Sequence, residues 1–374
     1  MVDWEAVRMI CSLDFWRMAV YWTLALVYSH LYLLFAPRLS TLFPSLIRPP
    51  PSAFPRCRFA PGPECPVQRP ICIVTGATSG LGEAASRALA AEGFHVLLAG
   101  RCPQALNKTI QKIKKHDRDA CVEAFQVDIS SIHSIMKFET AIKQWLGGSN
   151  LHPSIQLLIN NAGIFAKSCR VTADGFDQMI ETNYLGAFCL TNALLPLLKS
   201  SPVPSRIVNV TSFTHRCVSH VDINEGIVAR EKFCVLSTSE KYRFAQKYEY
   251  SKFCTLLFSY ELHRQLYATD SDSIVSVVAA DPGAVATNIM RELPPSLKNL
   301  AFMVLGLLQL LQPPESGVGS IIDAALAPPE ASGKYFFGAK GRTMKSSSVS
   351  YDVKLAEKLW STSFQLFQEC KARI

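Results

Sequence analysis

The feature that most constrains this fold is a glycine-rich segment between an apolar run and a helix-like run. The apolar run Ile71–Val74 is typical of a β-strand, and residues 83–92 are typical of a helix. A chain that turns directly from a strand into a helix points unpaired N–H groups and the positive end of the helix dipole at one spot. The sequence therefore predicts a phosphate-binding loop that contains Gly76, Thr78, Ser79, Gly80, Leu81 and Gly82. A flexible loop that binds nothing is the alternative.

Composition limits the classes of protein that this chain can belong to. The 374 residues are 49% hydrophobic, enough for one large core, and we expect one domain with appendages. The net charge of +8 is spread along the chain without a dense Lys/Arg block, so we expect no nucleic-acid partner. The twelve cysteines form no CxxC pair and no disulfide spacing, which predicts reduced thiols and no metal site.

An uncharged apolar stretch lies near the N-terminus. Residues 18–36 contain no Asp, Glu, Lys or Arg, and as a helix they would span about 28 Å, close to the bilayer core of about 30 Å. We predict a transmembrane helix here. A buried helix or an amphipathic helix lying on a surface is the alternative. A cleavable signal peptide is disfavoured, because Asp3, Glu5 and Asp14 stand where a basic region is expected.

The regions around this helix suggest how the chain is organised. Residues 1–17 form an acidic flank, and 37–69 are Pro-rich and predicted to be a semi-rigid linker. The cations that follow the helix, from Arg38 to Arg58, predict a single-pass protein with its main domain in the cytosol. We expect the membrane to be that of the endoplasmic reticulum. The main domain is expected over 70–345, with a helical extension over 346–374.

From Ile71 onward, strand-like and helix-like runs alternate, which is typical of a parallel sheet covered by helices on both faces. The fold class is therefore α/β, a single Rossmann-type doubly wound parallel sheet of about seven strands. The predicted strands are Ile71–Val74, His95–Ala99, Val122–Val127, Ile155–Ile159, Arg206–Val210, Ile274–Ala279 and Lys334–Phe337. The predicted helices include Gln104–Lys115, Ile132–Trp145, Asp177–Leu198 and Ser251–Leu266.

The strand ends carry candidate cofactor ligands. Arg101 follows the second strand, where an acid would select NAD. A guanidinium there favours NADP(H), because it can pair with a 2′-phosphate. A solvated surface arginine is the alternative. Asp128, after the third strand, is placed to hold the adenine. Asn161, Ala162 and Gly163 follow the fourth strand and would let the backbone approach the cofactor, although a plain turn would look the same.

Three polar residues form a candidate acid/base set. Ser212 lies just past the fifth strand, and Tyr248 and Lys252 stand four apart on one face of a predicted helix. YxxxK is a weak signal alone, but it occurs once in this chain and between the fifth and sixth strands. A nearby ammonium and a cationic nicotinamide would lower the pKa of the tyrosine and make it a usable acid/base. Ser212 would then polarise a carbonyl or alkoxide oxygen.

In this order, the motifs resemble the short-chain dehydrogenase/reductase superfamily over roughly residues 70–337, and within it the retinol dehydrogenase group. The resemblance implies that Asn183 holds a helix kink and a proton-relay water. It also implies that Thr287, after Pro282 and Gly283, contacts the nicotinamide carboxamide. One departure is the 36-residue gap between Ser212 and Tyr248, which predicts an enlarged loop over 213–247 and puts the serine assignment in question. Ser237 and Ser239 lie in that loop, but neither follows a strand.

The apolar stretch Leu300–Leu311 is too short to cross a bilayer and is either a buried helix or a lid. As a lid it predicts a lipophilic substrate, such as a retinoid, polyprenoid or steroid alcohol or carbonyl compound. Two other functions stay open. One is a non-catalytic NADP(H)-binding scaffold at a membrane, and the other is a plastid enzyme resembling protochlorophyllide reductase. A homodimer also stays open.

Overall fold

The computed structural model describes residues 11–43, 53–218, 230–234, 242–269 and 275–374. Part of the predicted N-terminal flank, much of the predicted 213–247 loop with Ser237 and Ser239, and Ile274 lie outside the described residues. The sequence predictions for those positions therefore remain predictions.

The described residues form one eight-stranded sheet in the order β3-β2-β1-β4-β5-β6-β7-β8. The first seven strands are parallel, as the sequence predicts, and β8 pairs antiparallel with β7. The two-residue β8 was not predicted, because it is too short to show any alternation in the sequence. The strands are β1 Ile71–Thr75, β2 His95–Gly100, β3 Val122–Gln126, β4 Leu157–Asn160, β5 Ser205–Val210, β6 Val275–Asp281, β7 Tyr335–Phe337 and β8 Thr343–Met344.

Helices cover both faces of the sheet. Alternate residues of β1 enter two separate cores, Ile73 on one face and Val74 on the other, so the prediction of a sheet covered on both sides is confirmed. The helices are α1 Leu13–Leu42, α2 Gly80–Ala91, α3 Pro103–His116, α4 Ile132–Gly148, α5 Gln178–Ile180, α6 Gly186–Lys199, α7 Phe244–Thr269, α8 Pro295–Leu307, α9 Pro314–Gly317, α10 Gly319–Leu326 and α11 Val353–Lys371. Short 3-10 turns include Phe213–Cys217 and Asn288–Met290.

The strand order fixes where a ligand can bind. The chain moves to one side of β1 through β2 and β3, and to the other side through β4 and the strands that follow. The loops after β1 and β4 therefore diverge and open a crevice at the carboxyl ends of the strands. All the candidate strand-end residues named above lie at this edge.

The predicted helix Asp177–Leu198 is interrupted. Asp177 caps α5 by accepting the backbone N–H groups of Met179 and Ile180, both at 3.0 Å. A π-helical turn, Glu181–Leu185, then separates α5 from α6. Such turns are often found at functional sites. This one carries Asn183, the residue for which the family resemblance implies a kink.

Helix α1 is longer than the predicted transmembrane segment. It begins at Leu13, runs through Pro37 and ends at Leu42, so the predicted linker starts inside the helix. One stripe of α1, comprising Leu26, Ser29, Leu33 and Ala36, is buried against the domain. Among the described residues it is the one helix long and apolar enough to cross a membrane.

The later part of the predicted linker packs on the domain and does not act as a free spacer. The Phe54 N–H donates to the Gly341 carbonyl at 2.9 Å, and Arg56 pairs with the buried Asp323 at 2.6 Å. The composition correctly excludes helix and strand there. It does not show that an irregular segment can still dock through its own backbone and side chains.

Candidate active site

A cavity of about 760 Å³ opens at the carboxyl edge of the sheet. Its polar end is formed by the loops after β1, β4 and β5, and its apolar end by α1 and α8. Most residues predicted from the sequence line it: Gly76, Thr78, Ser79, Gly80, Leu81, Arg101, Asp128, Asn161, Ala162, Gly163, Ser212, Tyr248, Lys252, Pro282, Gly283 and Thr287. Gly82 and Asn183 lie directly behind this lining.

The glycine-rich loop is shaped by close backbone contacts. Gly76 and Gly80 have φ of 66° and 56°, a region that L side chains rarely adopt. A Cβ on Gly82 would lie 2.2 Å from the Gly76 carbonyl oxygen, so only glycine lets α2 start this close to β1. The N-terminus of α2 consequently faces the cavity, which is the arrangement that binds a pyrophosphate.

Thr75 links this loop to the one after β4, a role that the sequence did not reveal. Its hydroxyl accepts the backbone N–H groups of Asn161 at 2.9 Å and Ala162 at 3.0 Å. The Asn161 amide donates back to the Thr75 carbonyl at 2.8 Å. The Asn161 side chain therefore links the two loops, and Asn161, Ala162 and Gly163 all line the cavity.

Arg101 and Asp128 lie at the far polar end of the cavity. The Arg101 side chain is exposed at the mouth, and its carbonyl accepts a hydrogen bond from Gln126 at 3.2 Å. Asp128 uses one carboxylate oxygen to accept both the backbone N–H and the hydroxyl of Ser130, at 2.9 and 2.7 Å. Arg101 is free to meet an anion at the mouth, whereas Asp128 is held in place by its own turn.

Ser212, Tyr248 and Lys252 come together in the middle of the cavity. Burial and the nearby Asp281 raise the pKa of the Tyr248 phenol above its usual value, although a hydrogen bond with the Ser212 hydroxyl lowers it. Burial does not enter the expectation made from the sequence. That expectation of a lowered pKa concerns a tyrosine beside a bound, cationic nicotinamide, so it stays a prediction.

Lys252 is fixed by the end of β5. Its ammonium donates to the Val210 carbonyl at 3.1 Å and lies 5.8 Å from the centre of the Tyr248 ring. Burial lowers the pKa of Lys252 to about 8, with Asp281 acting in the opposite direction. At neutral pH the ammonium form therefore predominates, next to the phenol.

Asn183 joins the π-helical turn to the neighbouring loop and helix. Its carboxamide accepts from Ile164 N–H at 2.8 Å and donates to the Ile164 carbonyl at 2.9 Å. It also donates to the Ser251 hydroxyl at 3.0 Å, and Ser251 in turn donates to the Tyr248 carbonyl at 2.8 Å. A Cβ on Gly163 would come within 3.4 Å of Asn183 Oδ1 and 3.6 Å of Lys252 Nζ.

A buried carboxylate stands behind the acid/base set. Asp281 ends β6, accepts the Gly283 N–H at 2.7 Å and accepts the Tyr335 hydroxyl at 2.8 Å. Burial raises the pKa of Asp281 to about 6. This role of Asp281 could not be predicted from the sequence, because its partner Tyr335 lies 54 residues further along the chain.

His215 supports the serine from behind. Its ring is fully buried; Nδ1 donates to the Ser212 carbonyl at 2.7 Å, and Nε2 accepts from Ser347 N–H at 3.2 Å. Burial and Arg216 lower the pKa of His215 to about 3, which keeps the imidazole neutral. Sequence reasoning missed this residue, because nothing near it indicates that Ser347 folds back onto it.

The cavity fits a dinucleotide. Its polar end offers a glycine cradle and a helix N-terminus for a pyrophosphate, with the exposed Arg101 guanidinium at the mouth. Its centre offers a hydroxyl, a phenol and an ammonium within reach of one another. This arrangement suits hydride transfer at an alcohol or carbonyl carbon that is assisted by proton transfer.

The chain is similar in sequence and in fold to several known proteins. A family model described as short chain dehydrogenase matches residues 70–219. The chain is 35% identical to the human protein named polyprenol dehydrogenase, over 79% of this chain and 84% of the relative. It is 30% identical to human retinol dehydrogenase 13, over 82% of this chain and 88% of the relative. A crystal structure of an uncharacterized protein from Mycobacterium Paratuberculosis matches with a TM-score of 0.58 and 29% identity, covering 82% of this chain and 96% of that one.

Proposed function

The chain belongs to the short-chain dehydrogenase family, and from that premise we propose that it is a membrane-attached oxidoreductase that transfers hydride between NADP(H) and a lipophilic alcohol, aldehyde or ketone. The observation that carries the proposal is one cavity in which a nucleotide cradle, an acid/base set and apolar helix walls meet. Each part alone would suit other functions, but together they suit this one.

The cradle would hold the cofactor and Arg101 would select it. The backbone from Gly76 to Gly82 would hold the pyrophosphate, Asp128 the adenine and Thr287 the carboxamide. The Arg101 guanidinium would pair with a 2′-phosphate, for which a planar fork of donors is well matched. When bound, the nicotinamide supplies the hydride for a reduction or accepts it in an oxidation.

Tyr248 is the acid/base of the proposed reaction. Its hydroxyl donates a proton to the carbonyl oxygen during reduction and takes it back during oxidation. The Ser212 hydroxyl donates a hydrogen bond to the same oxygen. Burial alone disfavours the phenolate, so the Lys252 ammonium has the task of stabilising it. Asn183 positions this part of the site through Ser251 and the Tyr248 carbonyl.

The substrate is proposed to be lipophilic. Away from the polar loops the cavity is walled by apolar side chains of α1 and α8, including Phe15, Met18, Leu297 and Phe302. Such walls gain free energy by burying apolar surface, at roughly 25 cal/mol per Å². The names of two relatives, a polyprenol and a retinol dehydrogenase, point to the same class, an isoprenoid alcohol or its aldehyde.

The proposed location is the cytosolic face of the endoplasmic reticulum membrane, with α1 as the attachment. The acid-free run from Phe15 to Phe43 supports membrane attachment, and the arginines after it suit the anionic cytosolic leaflet. One face of α1 packs on the domain, which restricts how the helix can meet the membrane.

The experiment that tests the function is turnover of a substrate panel by the full chain in detergent micelles. A polyprenal, retinal, a steroid ketone and small polar ketones are each mixed with NADPH or NADH. We expect oxidation of NADPH with the isoprenoid aldehydes. Turnover of small polar ketones alone would refute the substrate class. No turnover with any compound, together with tight NADPH binding, would favour a non-catalytic scaffold.

A further inference from the structure

The N-terminal helix is part of the substrate cavity. Phe15, Met18 and Trp22 on its inner side line the same space as Tyr248 and the glycine loop. Phe15 and Met18 pack in one apolar cluster with Phe165, Leu293 and Leu297, next to the Tyr248 ring. A helix that only anchored the protein would not need side chains in this cluster.

An ion pair between a half-exposed arginine and a buried carboxylate ties α1 to the acid/base segment. Arg17 pairs with Glu249 at 2.5 Å and also donates to the Cys217 carbonyl at 2.9 Å. Glu249 is the immediate neighbour of Tyr248, and its side chain is only 3% exposed. Moving α1 away from the domain would remove a cation from a buried carboxylate, which is strongly unfavourable.

The outer side of α1 is apolar as well. Between Phe15 and Phe43 the chain has no acidic residue, and its only basic residues are Arg17, His30 and Arg38. The exposed large side chains of α1 are Leu13, Trp16, Val20, Tyr21, Leu24, Tyr28, Leu31, Leu34, Phe35 and Leu42. Helix α8, whose side chains line the same cavity, exposes Leu300, Met303, Val304 and Leu307. Some of the exposed side chains of the two helices also border the cavity, namely Trp16, Val20, Leu24, Leu300 and Val304. So much exposed apolar surface on adjacent elements marks an interaction site.

We infer that α1 and α8 lie together in the interfacial layer of a lipid bilayer, with α1 parallel to the membrane plane and not crossing it. The occupant of this face is lipid, because Trp16, Tyr21 and Tyr28 carry the amphipathic rings found at bilayer interfaces. Arg38 and Arg291, both exposed at its edges, suit phosphate headgroups. A lipophilic substrate then enters the cavity directly from the membrane, between the two helices. This inference deepens the proposed function and rests on it for the substrate.

Natural cysteines provide a test of the topology. Cys11 is exposed just before α1, and Cys102 is exposed on the main domain. Sealed microsomes containing the full chain are treated with a membrane-impermeant maleimide, and labelling is mapped by peptide mass spectrometry. We expect Cys11 and Cys102 to be labelled, or protected, together. The inference would be overturned if Cys102 were labelled in intact vesicles and Cys11 were labelled only after detergent was added. That result would show that α1 spans the membrane.

Substitutions on the outer face test the docking. Leu31→Glu and Leu34→Glu change exposed side chains of α1 that do not line the cavity, and Phe364→Glu on α11 is a matched control. In flotation with phosphatidylcholine vesicles we expect each α1 variant to bind at least about tenfold more weakly, the factor for losing burial of one leucine-sized side chain. The control should float as the parent does.

Turnover separates this inference from the proposed function. The α1 variants should lose turnover of a vesicle-borne polyprenal about as much as they lose binding, and keep turnover of a short water-soluble aldehyde. Unchanged flotation of the variants would overturn the inference. The inference would also be overturned if the parent protein were a dimer, the α1 variants were monomers, and both bound vesicles equally well. If the parent turns over neither aldehyde, the proposed function fails, whereas labelling and flotation still test the membrane contact.

Discussion

Replacing Arg17 by methionine tests whether α1 is truly an integral part of the domain. The change keeps an unbranched side chain on the helix but leaves the carboxylate of Glu249 buried without this cation. Removing one partner of a buried ion pair typically costs about 3–5 kcal/mol. Because the Arg17 side chain is 39% exposed, water can replace part of the interaction. We therefore expect a smaller loss of stability, about 2 kcal/mol.

The assay is thermal unfolding of the full chain in detergent, followed by near-UV circular dichroism. At an unfolding entropy of about 2.1 cal/mol/K per residue, a loss of about 2 kcal/mol corresponds to a fall in Tm of about 3 °C for a chain of this length. Arg38→Met is the matched control, since Arg38 is an exposed arginine on the same helix. The double variant Arg17→Met/Glu249→Gln should recover part of the loss, because it removes the uncompensated charge. If Arg17→Met and Arg38→Met unfold at the same temperature, α1 is not docked as described.

Three other perturbations address the cradle, the cofactor choice and the buried histidine. Gly82→Ala would put a Cβ 2.2 Å from a backbone oxygen, so we expect the variant to lose NADPH binding, as measured by fluorescence titration. The control is Gly147→Ala on α4, where the new Cβ meets no atom within 4 Å, and this variant should bind NADPH normally. Arg101→Glu should weaken NADPH binding about 30-fold or more, because it loses one charge-assisted interaction worth about 2 kcal/mol. NADH binding should stay unchanged or become tighter. Equal losses of affinity for both cofactors would contradict the role assigned to Arg101. The pKa of His215 is lowered to about 3 in the folded protein, so the unfolded chain binds one more proton between that value and about 6.5. Stability should therefore rise with pH across this window by up to about 1.4 kcal/mol per unit in urea unfolding, and His215→Asn should flatten the slope.

Much of the fold follows from local sequence signals. Each parallel strand is a short apolar run followed by a turn and a helical run, and such a pattern needs no knowledge of distant contacts. The glycine loop could be predicted for the same reason, because Gly76, Gly80 and Gly82 act on their own turn. The strand ends then identify the residues that can meet above the sheet.

What the sequence could not predict depends on contacts between distant segments. The inward stripe of α1, from Leu26 to Ala36, is as apolar as a lipid-facing surface, so composition cannot distinguish docking from spanning. The partnership of His215 with Ser347 joins residues 132 apart. The raised pKa of Tyr248 comes from burial, which only the folded structure determines.

The π-helical turn at Glu181–Leu185 shows an intermediate case. Helical periodicity runs through it without a proline or glycine break until Gly186, so the sequence predicts one continuous helix. A Cβ on Gly186 would lie 2.0 Å from the Ile129 carbonyl oxygen, so this glycine lets the helix approach the loop after β3. Asn183 then stabilises the irregular turn from the side.

The central claim is that Tyr248 transfers the proton in an NADP(H)-dependent reaction on a lipophilic substrate. The most direct measurement is stopped-flow oxidation of bound NADPH by a polyprenal, in the parent chain and in Tyr248→Phe, with NADPH affinity measured in parallel. In Tyr248→Phe we expect NADPH affinity to stay within about twofold of the parent value, because a single hydroxyl is lost. We expect the rate of NADPH oxidation to fall by about 10²–10⁴. Oxidation of NADPH by Tyr248→Phe as fast as by the parent would contradict the role of Tyr248 as proton donor.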